Sequence, residues 1–349
     1  MALGRKTGYA VVGLGNIALN SILPAFANCK KAELAAVVSR DNRKAAAAQR
    51  KFKAAISYNT KDYADCLTNP EISAVYIATP PGEHEQFAVR AAEAGKHVLC
   101  EKPLAATVAQ STRMVEACQQ RGVLLMTAYR KYFEPSALHL KSLVRTGALG
   151  RIDMIHTSFS ELFTPGVSPD WLLDQALAGG GPMMDLGVYC VNTTRWLVDE
   201  DPVEAEARAW RHDARRYKDV EEGVTFRLSF PSGVIVQGSS TYSAAMSSFI
   251  FVQGTKGWVS LSPAYPFEDE RRVTGKIAGR RVNRRFRALD EFALEIDAFA
   301  SAIQKKNAVD PDGMQGHRDM IILEAIYESV RIQQPVAIKY PAKELSHGF

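Results

Sequence analysis

A chain of 349 residues, 46% hydrophobic and 23% charged, has the composition of a globular protein, and at roughly 100–200 residues per domain it holds two domains, each able to build its own core. Disordered and collagen-like polypeptides are excluded. The 43 Lys+Arg against 38 Asp+Glu leave a net charge of +5, too mild by itself to argue for nucleic acid.

Up to about residue 127, short apolar runs alternate with Ala-rich amphipathic stretches, the pattern of a parallel sheet with crossover helices. Strands are predicted at 9–13, 34–39, 74–78, 97–100 and 123–127, and helices at 17–28, 42–52, 83–94 and 108–121, with Gly95 and Gly122 where helix C-caps belong. Beyond about residue 150 the strands at 152–160, 203–210, 224–230, 234–242 and 256–261 follow one another without intervening helices, with turns such as Pro231-Ser232-Gly233. Two late helices, 291–303 and 318–331, are expected to cover one face of that second sheet. The fold class is α/β: a doubly wound domain over residues 1–127, then an α+β domain over 128–349 with an open, mostly antiparallel sheet.

The five cysteines are scattered and never spaced as Cys-x-x-Cys, so neither a disulfide framework nor a metal site is signalled. Reduced thiols, the lack of an apolar signal region and the lack of a membrane-spanning segment predict a cytoplasmic protein.

Gly13-Leu14-Gly15-Asn16-Ile17-Ala18 follows the first strand and opens the first helix, the context that makes a G-x-G-x-x-A pattern a dinucleotide site of the Rossmann type. Gly13 allows the tight turn, Gly15 lets backbone approach a pyrophosphate, and Ala18 permits close packing of helix on strand. Where an acid commonly meets the ribose 2′-hydroxyl, at the end of the second strand, this chain has Ser39-Arg40, with Arg43 and Lys44 beyond. A hydroxyl and cations suit a 2′-phosphate, which favours NADP, while Asp41 leaves NAD open.

A later strand ends in Glu101-Lys102-Pro103, and this motif resembles the Glu-Lys-Pro signature of the Gfo/Idh/MocA oxidoreductases. The resemblance spans the chain through Ala78-Thr79-Pro80-Pro81 with His84, Ala128-Tyr129-Arg130 with Pro135, and Asp185-Leu186-Gly187-Val188-Tyr189. Many members resemble Asp-x-Gly-x-His-x-x-Asp in the last motif; Tyr189 and Asn192 here are similar instead to the glucose–fructose and aldose–aldose oxidoreductase branch. The resemblance implies Lys102 and Tyr189 as a catalytic pair beside a nicotinamide, a sugar substrate, and a cis Lys102–Pro103 bond.

Chemistry agrees with that assignment. Taking a hydride from a carbinol carbon requires its hydroxyl proton to leave, and a nearby ammonium favours the phenolate that would accept it. Tyr189 is therefore the expected acid/base, Lys102 its electrostatic partner and a donor to substrate, and Asp185 the orienter of the sugar or of Lys102. Glu101, Thr79, Pro80 and His84 are expected around the nicotinamide and its ribose. Trp171 resembles the Trp of a family Trp-Arg pair, but Leu172 follows it, and Arg130 is the candidate to replace the missing Arg. Tyr132 and Phe163 are candidate sugar-stacking aromatics.

The leading expectation is an NADP-dependent oxidation of a cyclic aldose at C1 to the lactone, with a coupled version in which retained NADPH reduces a second sugar to an alditol. A simple dehydrogenase of xylose, glucose or a dihydrodiol is the alternative, and a non-catalytic NADP sensor is a reading from another class. Residues 271–287 hold eight of the cations and no acid, so the rest of the chain is slightly acidic; this stretch reads as a solvated hairpin rather than a nucleic-acid site. Ser239, Ser240, Thr241 and Ser243 predict a small-residue sheet surface that pairs two subunits into a homodimer.

Overall fold

The computed structural model describes residues 6–267 and 269–341. Six parallel strands, β1 (Thr7–Val12), β2 (Ala32–Ser39), β3 (Ile56–Asn59), β4 (Ala74–Ile77), β5 (His97–Glu101) and β6 (Leu125–Ala128), form one sheet in the order β3-β2-β1-β4-β5-β6. Strand β1 is buried at every position because both faces of the sheet are covered. Strand β3 has no counterpart in the sequence reading: Ile56-Ser57-Tyr58-Asn59 is a short edge strand without an apolar run. The first predicted helix is broken, with a π-helical turn at Ala18–Ile22 leading into Leu23–Ala25. Pro24 has no N–H to return to Asn20 and its ring would crowd that carbonyl, so the turn before it widens. Asn42–Phe52 forms as predicted, capped by Asp41.

The second sheet contains β7 (Ile152–Ser160), β8 (Glu204–Trp210), β9 (Gly223–Ser229), β10 (Ile235–Thr241), β11 (Ser247–Gly254), β12 (Gly257–Ser262), β13 (Arg271–Ile277), β14 (Arg280–Phe286) and β15 (Val336–Ala337). Its order is β14-β13-β12-β11-β7-β10-β9-β8-β15, antiparallel except where β10 runs parallel to β7. Side chains alternate: Ile250 and Val252 of β11 are buried, while Phe249 and Phe251 face the open side with His156 and Trp258. Ser240 corrects the expected small-residue surface, since it is fully buried on the inner face, while Ser239 and Thr241 point outward and Ser243 is exposed.

The late helices depart from expectation as well. Glu291–Lys305 does not cover the second sheet but returns to the first, where Ile296 and Phe299 are fully buried and Tyr9 of β1 donates to the Ile296 carbonyl at 3.1 Å. Its apolar face carries Phe292, Ile296 and Phe299, which join Tyr9 and Val11 of β1 and Leu34 and Val37 of β2 in one core cluster. Gly313–Ile332 starts five residues earlier than predicted because Asp312 caps it, and it packs between β8 and the helix Val108–Gln120.

The basic stretch is the β13–β14 hairpin at a sheet edge, where exposed arginines on β14 discourage pairing with another strand. Arg271 is the exception: it is fully buried, bonded to Glu291 and to the Pro266 carbonyl. All five cysteines are buried and free. Among the described residues no helix is long and apolar enough to cross a membrane, and no cluster of metal-ligating side chains occurs.

Candidate active site

The strand order reverses between β1 and β4, and the crevice beyond the carboxyl ends of those strands is where ligands of doubly wound sheets bind. Gly13, at φ +92°, makes the turn there; a Cβ on it would lie 2.6 Å from the Ala78 carbonyl oxygen. At Gly15, by contrast, a Cβ would meet nothing within 4 Å, which is the open space a pyrophosphate requires above the helix start. The Thr79 hydroxyl is buried and has no hydrogen-bond partner among the described residues, an orphaned group suited to a ribose hydroxyl. The residues present therefore fit a dinucleotide.

From this turn a cleft of about 1040 Å³ runs across to the second sheet. Gly13, Leu14, Gly15, Asn16 and Ile17 line its middle, together with Thr79 and Pro80. Ser39, Arg40 and Lys44 line the end near β2, joined by Thr60 and Lys61, which follow β3 and which the sequence reading missed along with that strand. Arg40 forms an ion pair with Glu83 at 3.2 Å. Asp41 lines the same end, and its Oδ1 accepts the N–H groups of Arg43 and Lys44 at 2.8 and 3.0 Å, so one oxygen of the carboxylate that left NAD open serves as a helix cap.

At the other end Lys102, Glu101, Arg130, Phe163, Trp171, Asp185 and Tyr189 line the cleft. Lys102 follows β5, and its peptide bond to Pro103 is cis. Its ammonium donates to the Asp185 carbonyl and to Asp185 Oδ1, both at 2.8 Å, and lies 4.9 Å from the centre of the Tyr189 ring. The Arg130 guanidinium lies 5.2 Å from the same centre, held by Glu291 at 2.6 Å and the Tyr265 carbonyl at 2.7 Å. Burial alone would lower Lys102, but Asp185, Tyr189 and Glu101 outweigh it and hold the ammonium above the ordinary lysine range. For Tyr189 the balance runs the other way: burial raises its hydroxyl above the ordinary value in spite of Arg130 and Lys102, so the two cations alone do not produce a phenolate.

Local sequence explains how Asp185 is presented. It sits in a π-helical turn, Met183–Gly187, whose start is held by the buried Glu221: its carboxylate accepts the N–H groups of Gly181 and Met183 at 3.0 Å each, and the Tyr327 hydroxyl at 2.9 Å. A Cβ on Gly180 would lie 2.0 Å from the Tyr327 hydroxyl, so that partner fits only against glycine. Tyr242 donates to Asp185 Oδ2 at 2.9 Å, leaving Oδ1 for Lys102.

Two sequence candidates lie elsewhere. His84 is fully buried away from the cleft, with Nε2 2.8 Å from the Thr79 carbonyl and Nδ1 3.1 Å from the Leu104 carbonyl, so it supports the loop rather than touching a ligand. Tyr132 is buried with its ring centre 4.7 Å from that of Trp196, leaving no face for a sugar. Asn192 also turns inward, donating to the buried Asp319 at 2.8 Å. Glu161, Tyr242, Glu221, Glu291 and Glu295 were not foreseen; only the last two had a signal, two acids one turn apart on the otherwise apolar face of a helix.

A glycine-rich turn at the switch point of a doubly wound sheet, with a lysine and a tyrosine meeting across the cleft, defines a dinucleotide-dependent oxidoreductase. The profile described as an oxidoreductase family with an NAD-binding Rossmann fold, GFO/IDH/MocA, matches residues 7–129, and the GFO/IDH/MocA C-terminal domain matches residues 137–260. The chain belongs to the GFO/IDH/MocA oxidoreductase family. It is 32% identical over 336 residues to the D-xylose 1-dehydrogenase [NADP(+)] of Haloarcula marismortui, covering 95% of this chain and 92% of that protein. It is 33% identical over 231 residues to the trans-1,2-dihydrobenzene-1,2-diol dehydrogenase of Oryctolagus cuniculus, covering 66% of this chain and 67% of the other. The crystal structure of the aldose–aldose oxidoreductase from Caulobacter crescentus, complexed with glycerol, superposes with a TM-score of 0.91 at 34% identity, covering 96% of this chain and 100% of that one.

Proposed function

We propose that this chain is an NADP-dependent oxidoreductase of sugars that oxidises a cyclic aldose at C1 to the lactone. The observation that carries the reading is the meeting of Lys102 and Tyr189 at one end of the cleft, 4.9 Å from ammonium to ring centre, while Arg40, Lys44 and Lys61 stand at the other. Activities on xylose and on aldoses named for two relatives support the substrate class. In this reading Ser39, Arg40 and Lys44 take the 2′-phosphate, residues 13–17 the pyrophosphate, Thr79 and Pro80 the ribose, and Glu101, Arg130 and Trp171 the nicotinamide half. A domain boundary at residue 128 then leaves most cofactor contacts before it, while Arg130 and Trp171 beyond it reach the nicotinamide half and Lys102 before it reaches the substrate.

Bound NADP supplies the acceptor for the hydride that leaves C1. The chain handles the proton. Tyr189, as phenolate, takes it from the C1 hydroxyl and returns it in the reverse direction. Lys102 donates to the substrate oxygen and, with Arg130 and the positive charge of the oxidised nicotinamide, offsets the burial that keeps Tyr189 protonated. Asp185 fixes Lys102, and Phe163 supplies an apolar wall. The name of the Caulobacter relative favours the coupled reaction, in which NADPH stays bound and a second sugar is reduced to an alditol. The open side of the second sheet, with Phe249, Phe251 and Trp258, is the surface for a homodimer.

The test is to incubate the purified chain with xylose, glucose and a dihydrodiol, with and without added NADP, and follow nicotinamide absorbance and lactone. Lactone formed from an aldose with NADP supports the reading, and turnover of two sugars without added cofactor supports coupling. No oxidation of any aldose while NADP binds would refute it in favour of a sensor.

A further inference from the structure

Below the nicotinamide end of the cleft lie two carboxyl groups that proton transfer at C1 does not use. Glu101, at the end of β5, and Glu295, on the helix Glu291–Lys305, are both buried and approach one hydroxyl: Tyr76 Oη is 2.9 Å from Glu101 Oε1 and 3.4 Å from Glu295 Oε2. A phenol has a single proton to give, so it cannot serve two carboxylates. The other oxygen of Glu295, Oε1, is buried without a hydrogen-bond partner among the described residues.

Two ionised carboxylates on either side of one hydroxyl would repel each other where burial leaves little water to screen them, and an orphaned carboxylate oxygen costs more than the orphaned carbonyl of a neutral acid. A proton on Glu295 Oε2 removes both difficulties. Glu295 then donates to Tyr76 Oη, and Tyr76 donates to Glu101. The groups that face Glu295 are Tyr9 of β1, Tyr76 of β4, Glu101 of β5, Arg130 beyond β6, Tyr189, and Glu291 on its own helix. Arg130 is the one cation among them, and it is bonded to Glu291. Burial and the charge of Glu101 push Glu295 well above the usual carboxylate range. Glu101 also stays above the usual carboxylate range through burial, but less far, because Lys102, the Tyr76 hydroxyl and the Lys102 N–H pull against it. Glu291, one turn earlier, accepts from three cations, Arg130, Lys131 and Arg271, none of which bonds to Glu295.

We propose that Glu295 is a buried, protonated positioning residue whose O–H aims the Tyr76 hydroxyl at Glu101 and so holds Glu101 as an ionised acceptor in the cleft. The benefit to the cofactor rests on the reading of Glu101 as one of its holders.

Two variants of the full chain test this. Glu295→Gln can still donate to Tyr76 but cannot titrate, and Glu295→Leu can do neither. A group that is neutral in the folded chain and ionised in the unfolded one makes stability fall as pH climbs above its unfolded value, because the native state then binds more protons. Melting temperatures from about pH 4 to about pH 8 should therefore show Glu295→Gln gaining steadily on the wild type. The dissociation constant for NADP, followed by protein fluorescence, should stay within about twofold of wild type in Glu295→Gln and rise about tenfold in Glu295→Leu, the loss of one buried hydrogen bond. A stability gap that does not change with pH would show Glu295 ionised and overturn the proposal. An unchanged dissociation constant in Glu295→Leu would overturn the positioning role. The reading of Glu101 fails separately: it falls if Glu101→Gln binds NADP as tightly as wild type, whatever the melting curves show.

Discussion

Asp185 holds Lys102 twice, through its backbone carbonyl and through Oδ1, at 2.8 Å each. The lysine therefore cannot turn toward Glu101 or swing into solvent, and its charge stays over the Tyr189 ring. Replacing Asp185 by Asn keeps an acceptor but removes the charge, so kcat should fall about 10- to 100-fold, the worth of a charge-assisted hydrogen bond of about 1.5–3 kcal/mol. Steady-state kinetics with an aldose check this, and an unchanged kcat would remove Asp185 from the mechanism.

Tyr189 carries a proton at neutral pH in the cofactor-free chain because burial outweighs its two cations. Sugar oxidation needs the phenolate, so its rate should climb with pH, whereas reduction, which needs the phenol, should not. Tyr189→Phe should lose about 100-fold or more in both directions with NADP affinity intact, as expected for a lost acid/base. Comparing pH–rate profiles with binding isotherms separates this from a packing role.

The adenine end gives a different kind of test. Arg40→Ala and Lys61→Ala should each raise KM for NADP while leaving KM for NAD almost unchanged, because only the 2′-phosphate meets those charges. Asp41→Ala should leave the NADP-to-NAD ratio alone and lower stability by about 1 kcal/mol through the lost cap. Equal changes for both cofactors in Arg40→Ala would contradict the assignment.

Glu221 does not line the cleft yet fixes the turn that bears Asp185. Glu221→Ala leaves two buried N–H groups and the Tyr327 hydroxyl without an acceptor, at about 1–3 kcal/mol for each group. The melting temperature should drop and kcat should fall with it, since Lys102 loses its anchor. Glu221→Gln, which keeps one acceptor oxygen, should recover part of both in the same measurements.

Much of this architecture was legible in the chain. The alternation of apolar runs with Ala-rich helices, the G-x-G-x-x-A turn and Glu101-Lys102-Pro103 are local patterns, and local patterns survive into the fold because each is satisfied within one βα unit. The residues 13–17, Ser39, Arg40, Lys102, Asp185 and Tyr189 were each readable from such a pattern, and the fold gathers them along one cleft. His84 and Tyr132 were misplaced because side-chain direction depends on what packs above them: two carbonyls claim the one, and Trp196 covers the other.

What the chain determined by itself was therefore the class of most elements, though not of the edge strand β3 or the broken first helix, and the identity of the reactive groups. Only the tertiary structure decided who meets whom. It carried Glu291 and Glu295 from the far end of the chain onto the first sheet, buried Arg271 in place of exposing it, and let desolvation overrule two cations at Tyr189. The physical reason is that hydrogen-bond partnership and burial are set by contacts between distant segments, and these terms fix protonation more strongly than neighbours in sequence can.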